Sequence, residues 1–400
     1  MERLMLAISA GEWEGIKHRP QHFMQRCARS GWTVIYLEPP ATLIAPIKNR
    51  KMLKRWKNWF KGLRKVGENL YVLAPPPVLP FGNKYRIVNK INQWWMARTI
   101  KKAIKACKTE TVDLYTFLPN AVDLLPYFSF HRVIYDCVDD HAAFTGLINA
   151  GVVYQMEKEL MAEADLSFAT AKRLLEDRKD WSTHLYLIPN GAEYEHFAAE
   201  EKEEKKKEVP ADLAGVPHPI AGFVGGISDW VDIPLLTNVA KKMKEVSFVL
   251  IGPVSTNVDA LKQLPNVKLL GAKPYRQLPR YIRQFDTCLI PFRINKLTES
   301  VNPIKLFEYL SAGKPVVSTP LPEVFAYREV VEIAGDEEEM IQAINKTLEP
   351  KAREKENVQK RQQVGRENSW DARWQLALHY IKTVKDSKAG RSRENQYVTS

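Results

Sequence analysis

The chain has 400 residues, 45% of them apolar, with 59 Lys or Arg against 47 Asp or Glu and a net charge of +12. That length exceeds one ordinary core, so two domains of roughly 200 residues are expected. Cys27, Cys107, Cys137 and Cys288 are scattered without CxxC spacing or a matching His cluster, which excludes a disulfide framework and a zinc site and fits a reducing, cytoplasmic setting.

The opening MERLMLAISAGEWEG holds only a short apolar run before its acids and reads as a buried strand rather than a secretory signal. No stretch approaches the ~20 apolar residues that span a bilayer. Residues 1–132 carry 23 Lys or Arg against 8 Asp or Glu, and the remainder 36 against 39, so only the first third is basic. Such a field suits either a nucleic-acid backbone or anionic lipid.

Strands are predicted at 3–9, 32–38, 69–74, 112–118, 132–138, 166–170 and 185–189, with helical patterns between most of them, the signature of a parallel sheet covered on both faces. The first strand runs into SAGEWEGIKHRPQHF, where Gly11 and Gly15 bracket a loop and His18 and Arg19 are its polar candidates. His18 and His22 stand four apart, yet no third ligand is suitably spaced, so no metal is expected.

Between the second and third predicted strands lies IKNRKMLKRWKNWFKGLRK, with nine Lys or Arg and no acid. Met52, Trp56, Trp59, Phe60 and Leu63 fall on one helical face, as in a helix lying on a membrane surface, with Lys54 and Arg55 among its cations. An amphipathic helix packed on its own domain would use the same spacing.

The fifth strand ends in YDCVDDHAAF, placing Asp136, Asp139 and Asp140 at its carboxyl edge. Like charges this close raise one another's pKa, which makes Asp139 or Asp140 a candidate general base; a cap on the next helix is the equal alternative for either.

After IPNGAEYEHF the charge run EEKEEKKKE (200–208) marks a linker over 200–214 between domains 1–199 and 215–368. A second strand series follows at 219–227, 247–253, 267–271, 287–292, 315–320 and 330–334. Two Rossmann-like halves result, with ligands expected between the carboxyl ends of their sheets. Gly225 and Gly226, in GFVGGISDW, let the backbone approach a phosphate or sugar, beside Ser228 or Asp229; a plain tight turn is the alternative.

In TESVNPIKLFEYLSAGKPVVSTP, Asn302 and Pro303 predict an N-cap and first position, and Gly313 a stop, for a helix over 303–312. Its N–H groups, at Pro303 and Ile304 onward, suit a diphosphate; Lys305 adds charge, and Glu308 can accept from a ribose diol. A core helix with solvated Lys305 and Glu308 is the bland alternative. A last helix over 369–386 must bury Trp370, Trp374, Leu378 and Ile381 and is expected to pack back across the cleft; 387–400 reads as a flexible tail.

NPIKLFEYLSAGKPVVST, with IPNGAEYEHF, GFVGGISDW and SWDARWQLALHYIK, resembles the bacterial group 1 (family 4-like) glycosyltransferases, with teichuronic acid biosynthesis glycosyltransferases nearest and xanthan glucuronosyltransferase more distant. The resemblance implies an α/β GT-B fold and transfer of a sugar from a nucleotide diphosphate donor, a UDP-sugar, held mainly by the C-terminal domain. It transfers the donor-ribose role to Glu308 and the diphosphate role to Lys305. The family's earlier glutamate falls at Ser300, with Glu299 one place out of register, which leans towards inversion. For an acidic sugar, Arg293 and Lys296 are the candidate cations. The implied partners are a nucleotide-sugar donor, a lipid-linked glycan acceptor and an anionic membrane surface, on the inner face of the cell membrane. No cofactor is implied, the nucleotide sugar being a substrate. A GT-B-fold epimerase is the alternative; a nucleic-acid binder is a third, though RNP, KH and zinc signatures are missing.

Overall fold

The computed structural model describes residues 3–15, 17–48, 50–109, 111–144, 146–198 and 209–384. They form two compact units, Met1–Pro189 together with Trp374–Ser400, and Asn190–Arg373. The change of unit falls at Pro189 and Asn190, ahead of the charge run 200–208. That run, like the tail 387–400, lies outside the described residues.

The first unit holds β1 (Arg3–Ile8), β2 (Trp32–Leu37), β3 (Leu63–Gly67), β4 (Leu70–Leu73), β5 (Thr111–Thr116), β6 (Arg132–Cys137), β7 (Leu166–Ala169) and β8 (Leu185–Leu187). They lie in the order β3-β4-β2-β1-β5-β6-β7-β8, parallel throughout except at the β3–β4 edge. Leu4, Leu6, Ile35, Leu114, Val133 and their neighbours form its core, so most of these strands read as unbroken apolar runs.

β3 is a departure from the sequence reading. The basic helix ends at Phe60, Gly62 turns the chain at φ +65°, and Leu63 begins this antiparallel edge strand instead of extending the helical face. Its two cations, Arg64 and Lys65, blunt the apolar alternation that would have marked it.

The second unit holds β9 (Ile220–Val224), β10 (Ser247–Ile251), β11 (Val267–Leu269), β12 (Thr287–Ile290), β13 (Val316–Ser318) and β14 (Glu332–Ile333). Their order, β11-β10-β9-β12-β13-β14, is wholly parallel. The chain moves outward from β9 to one edge and then to the other, so β9 and β12 flank a topological switch point at their carboxyl ends.

Helix Trp370–Thr383 buries Trp370, Trp374, Leu378 and Ile381, as its spacing requires. From Trp374 onward it belongs to the first unit: Trp374 Nε1 donates to Ser30 Oγ at 2.9 Å, and Tyr380 stacks on Tyr186 at 3.9 Å. No helix among the described residues is long and apolar enough to cross a membrane.

Candidate functional site

In the second unit the switch point gathers residues from three motifs. β9 ends at Val224, whose backbone N–H donates to Tyr309 Oη at 2.7 Å, tying the strand to helix Ile304–Ser311. Gly225 follows at φ +155°, a conformation open to glycine, and Gly252 at the end of β10 approaches it so closely that a Cβ there would lie 1.8 Å from Gly225 O. A Cβ at Gly225 would in turn lie 2.8 Å from Lys305 Cε. Gly225, unlike Gly226, therefore gives room for the β10 backbone and Lys305 to approach it together.

Lys305 Nζ stands 4.8 Å from the Phe292 ring centroid and 5.6 Å from that of Phe223, and it makes no hydrogen bond or ion pair with a described residue. Burial pushes this ammonium down and the Glu308 carboxyl, one turn on, up; the attraction between the two opposes both shifts. A cation held over aromatic faces without an oxygen partner is ready for an incoming anion. Phe223, Phe292 and Gly252 were not singled out by the sequence; the aromatics look like core strand residues until β9 and β12 are paired.

Asn302 does not cap the helix. Pro303 is the boundary residue, and no side chain caps the first turn: the Leu306 N–H donates to Pro303 O at 3.1 Å, which leaves the Ile304 and Lys305 N–H groups open. Asn302 instead accepts the Asn190 N–H and donates to Glu323 at 3.1 Å. Gly313, at φ +70°, ends the helix as expected. Ser300 is buried in a short turn, Thr298–Ser300, while Arg293 and Lys296 are exposed on the preceding loop, their side chains making no hydrogen bond or ion pair with a described residue, although the Arg293 N–H donates to Trp230 O at 2.9 Å. Ser228 accepts the Val231 N–H through its carbonyl in the turn after Gly226.

In the first unit, Asp136, Asp139 and Asp140 have separate fates. Asp136 is fully buried, accepting from Arg19 Nε at 2.8 Å and Tyr115 Oη at 2.7 Å. Arg19 is therefore not a loop residue awaiting a ligand: it sits in helix Arg19–Arg29, with Nη1 donating to the Ile188 and Pro189 carbonyls. His18, just before that helix, is exposed, and its backbone N–H donates to Gln21 Oε1. Gly11 and Gly15 shape the loop itself, Gly11 O accepting from Tyr36 Oη and Gly15 N–H donating to Glu12 O.

Asp140 accepts from Arg178 Nη2 at 3.2 Å, so its side chain is an ion-pair partner rather than a helix cap. Arg178 also grips Glu157, at 2.9 Å through Nε and 3.0 Å through Nη2, and Glu157 accepts from Tyr135 Oη at 2.7 Å. Burial favours a neutral Glu157, but these hydrogen bonds hold it below the usual carboxylate range. Asp139 has no such partner: its carboxyl makes no hydrogen bond or ion pair with a described residue, and burial followed by the Asp140 charge pushes it up to about 7. Asp139 is thus a candidate base whose carboxyl can take up a proton near neutrality. Arg178 and Glu157 carried no sequence signal, being 38 and 17 residues beyond Asp140 in ordinary helical patterns.

The proposed membrane-contact residues divide. Phe60 is 79% exposed and Lys54 is exposed, whereas Arg55 pairs with Glu12 and Trp56 lines a small pocket with Glu38, Ala41 and Pro75. Trp59 is half-buried against Phe60, ring centroids 4.7 Å apart. Among the described residues no group of three or more His, Cys, Asp or Glu is placed to hold a metal.

Residues 218–350, which contain β9 to β14 and helix Ile304–Ser311, match the family described as "Glycosyl transferases group 1". A Bacillus subtilis (strain 168) protein, "Putative teichuronic acid biosynthesis glycosyltransferase TuaH", is 32% identical over 229 residues, 52% of this chain. The match covers 55% of that relative, so the chain spans about half the length of the curated protein it resembles. Among solved structures, "Trehalose-6-phosphate from E. coli bound with UDP-2-fluoro glucose" superposes with TM-score 0.67 at 12% identity, over 96% of this chain and 99% of that one. Anabaena Alr3699/HepE in complex with UDP and glucose gives TM-score 0.66 at 13% identity, over 95% and 99%. WaaG, a glycosyltransferase involved in lipopolysaccharide biosynthesis, gives 0.62 at 11%, over 95% and 100%. These similarities bear out the expected GT-B fold and the resemblance to group 1 glycosyltransferases.

Proposed function

We propose that the protein transfers a sugar from a nucleotide diphosphate sugar, with UDP as the nucleotide, to a lipid-linked glycan during synthesis of a teichuronic-acid-like cell-surface polysaccharide. It would work in the cytoplasm as a peripheral protein on the inner face of the membrane. The observation that carries the reading is Lys305, an ammonium without an oxygen partner, set against the Gly225 backbone beside an uncapped helix start. Two structural neighbours were solved with UDP or a UDP-sugar, which supports that choice of nucleotide.

In this mechanism the acceptor hydroxyl oxygen attacks the anomeric carbon and its proton passes to Asp139. The bond from that carbon to the diphosphate oxygen breaks, and the departing charge is met by Lys305 and the N–H groups following Pro303. Glu308 accepts from the donor ribose, and Arg293 and Lys296 attend an acidic sugar. The reading gives no metal a part. Inversion at the anomeric carbon fits the absence of a glutamate at position 300, and an NMR time course of product anomers tests it.

A thermal-shift panel of UDP-, GDP- and CMP-sugars with wild type and Lys305→Ala tests the donor assignment. UDP-sugars should raise the wild-type melting temperature and leave the variant unmoved. Stabilisation by none of the three, or equal stabilisation of both proteins, would defeat it. Release of UDP that requires an acceptor separates transfer from epimerisation, which the family match does not favour.

A further inference from the structure

Helix Arg86–Ala106 has inverted polarity along its first half. Its inward face carries amides: Asn89, Asn92 and Gln93 are 2%, 6% and 2% exposed. Asn89 Nδ2 donates to Asp123 Oδ2 at 2.7 Å, Asn92 exchanges hydrogen bonds with the Leu79 backbone at 2.9 Å, and Gln93 Nε2 donates to Asn120 O at 3.1 Å. Its outward face carries Ile87, Ile91 and Trp94, at 65%, 41% and 43% exposure. At about 100° per residue these three share an arc of about 60°. A helix packed only on its own domain turns such residues inward.

The stripe is neither isolated nor neutral. Eleven of the eighteen exposed large apolar side chains among the described residues fall between residues 43 and 94, so this part of the chain carries most of them. Leu43 N–H donates to Val78 O at 2.8 Å, which brings the exposed Leu43 and Ile44, just before the short helix Ala45–Lys48, to the chain leading into helix Arg86–Ala106. Residues 41–108 contain 17 Lys or Arg and a single acid, Glu68. On the helix, Lys90 and Lys102 flank the stripe, and Arg98 lies over the Trp94 ring at 3.5 Å.

We infer that the outward face of helix Arg86–Ala106 rests on an anionic lipid bilayer, with Ile87, Ile91 and Trp94 entering the headgroup layer and the flanking cations meeting lipid phosphates. The helix is 21 residues, or about 31 Å, long, and its six cations exclude a transmembrane path. A nucleic acid would satisfy the cations but give no cover to two isoleucines at the centre of the face, whereas a bilayer interface covers both. The surface stands independently of the transferase chemistry and moves the main contact away from the shorter helix Leu53–Phe60.

The test is sedimentation of the full chain with phosphatidylglycerol–phosphatidylcholine vesicles, against phosphatidylcholine alone. Ile87→Ser/Ile91→Ser/Trp94→Ser should reduce partitioning to the anionic vesicles by about tenfold or more. Lys90→Glu/Lys102→Glu, which leaves the apolar stripe in place, should also reduce it by about tenfold. Melting temperature and UDP-sugar stabilisation should not move in either variant. Wild-type partitioning that ignores phosphatidylglycerol, triple-variant partitioning equal to wild type, or loss confined to Trp59→Ser/Phe60→Ser would overturn the inference. So would tight RNA or duplex DNA binding that the triple variant loses. Vesicle binding without any nucleotide-sugar binding would leave this surface standing and remove the transferase reading.

Discussion

Asn190 and Asn302, 112 residues apart, hold each other through two hydrogen bonds: the Asn190 N–H donates to Asn302 Oδ1 at 3.0 Å, and Asn190 Nδ2 donates to Asn302 O at 2.8 Å. Both are buried, and Arg373 Nε donates to Asn190 O at 3.1 Å, so three separated motifs of the second unit converge immediately before helix Ile304–Ser311. The pair fixes where that helix begins.

Asn302→Ala should therefore destabilise the protein by about 1–3 kcal/mol, because it strands the Asn190 N–H and removes the Glu323 contact. Urea unfolding measures this. Asn302→Asp keeps the acceptor but loses the donor and adds a charge beside Glu323, so it should recover little of the loss.

The glycine pair supplies a sharper contrast. In Gly225→Ala the new methyl would lie 2.8 Å from Lys305 Cε on a backbone at φ +155°, whereas in Gly226→Ala it meets only Trp230, at 3.5 Å. Gly225→Ala should weaken UDP-sugar binding by tenfold or more by calorimetry, roughly the loss of one charge-assisted contact, while Gly226→Ala binds within about twofold of wild type. Equal effects would remove Lys305 from the donor site.

Lys305→Met should lower kcat by about 10²–10³, the usual loss when one group stabilising a departing charge is removed. Steady-state kinetics across donor concentrations would show whether the loss lies in kcat or only in KM. A pure KM effect would mark Lys305 as a binding group alone.

Asp139 makes a pH prediction in two directions. As a base it must be ionised, so turnover should climb as pH rises through about 7. Folding raises this pKa, so its contribution to stability is full at low pH and is lost as pH rises through the same value. Asp139→Asn should abolish turnover yet melt on the order of a few degrees above wild type at pH 8, with no gain at pH 4. A variant that melts lower at both values would show Asp139 to be structural.

Arg178→Met should cost about 3–5 kcal/mol, since it leaves Glu157 buried without its ion-pair partner and frees Asp140. Chemical denaturation checks this. Glu157→Gln/Arg178→Met, which removes both charges, should recover part of the loss.

Much of this protein is legible along the chain because parallel strands covered on both faces must be apolar at nearly every position. FVGG, SFVLIG and TCLIPF announce β9, β10 and β12 without help from the rest of the molecule. The helix stop at Gly313 is equally local, since φ +70° favours glycine. Lys305 and Glu308 were legible as a cation and an acid one turn apart on a short helix. Their state was not, because burial and the Phe223 and Phe292 rings come from strands far away in sequence.

Where a local rule met a distant partner, the partner decided. Asn302 has the chemistry of a helix cap but is engaged by Asn190 and Glu323. Arg19 has that of a ligand-binding loop residue but is drawn inward by Asp136, since a buried carboxylate demands a cation. Asp139 and Asp140 are neighbours of identical composition; only the reach of Arg178 from another helix makes one an ion-pair partner and leaves the other protonatable near neutrality. By itself the sequence determined the buried parallel strands, the helix stop at Gly313 and the basic character of the first third, because backbone sterics, apolar burial and net charge act locally or by summation. Tertiary structure alone decided which polar side chains are already partnered and which remain open to a ligand, because that depends on atoms brought together from across the chain.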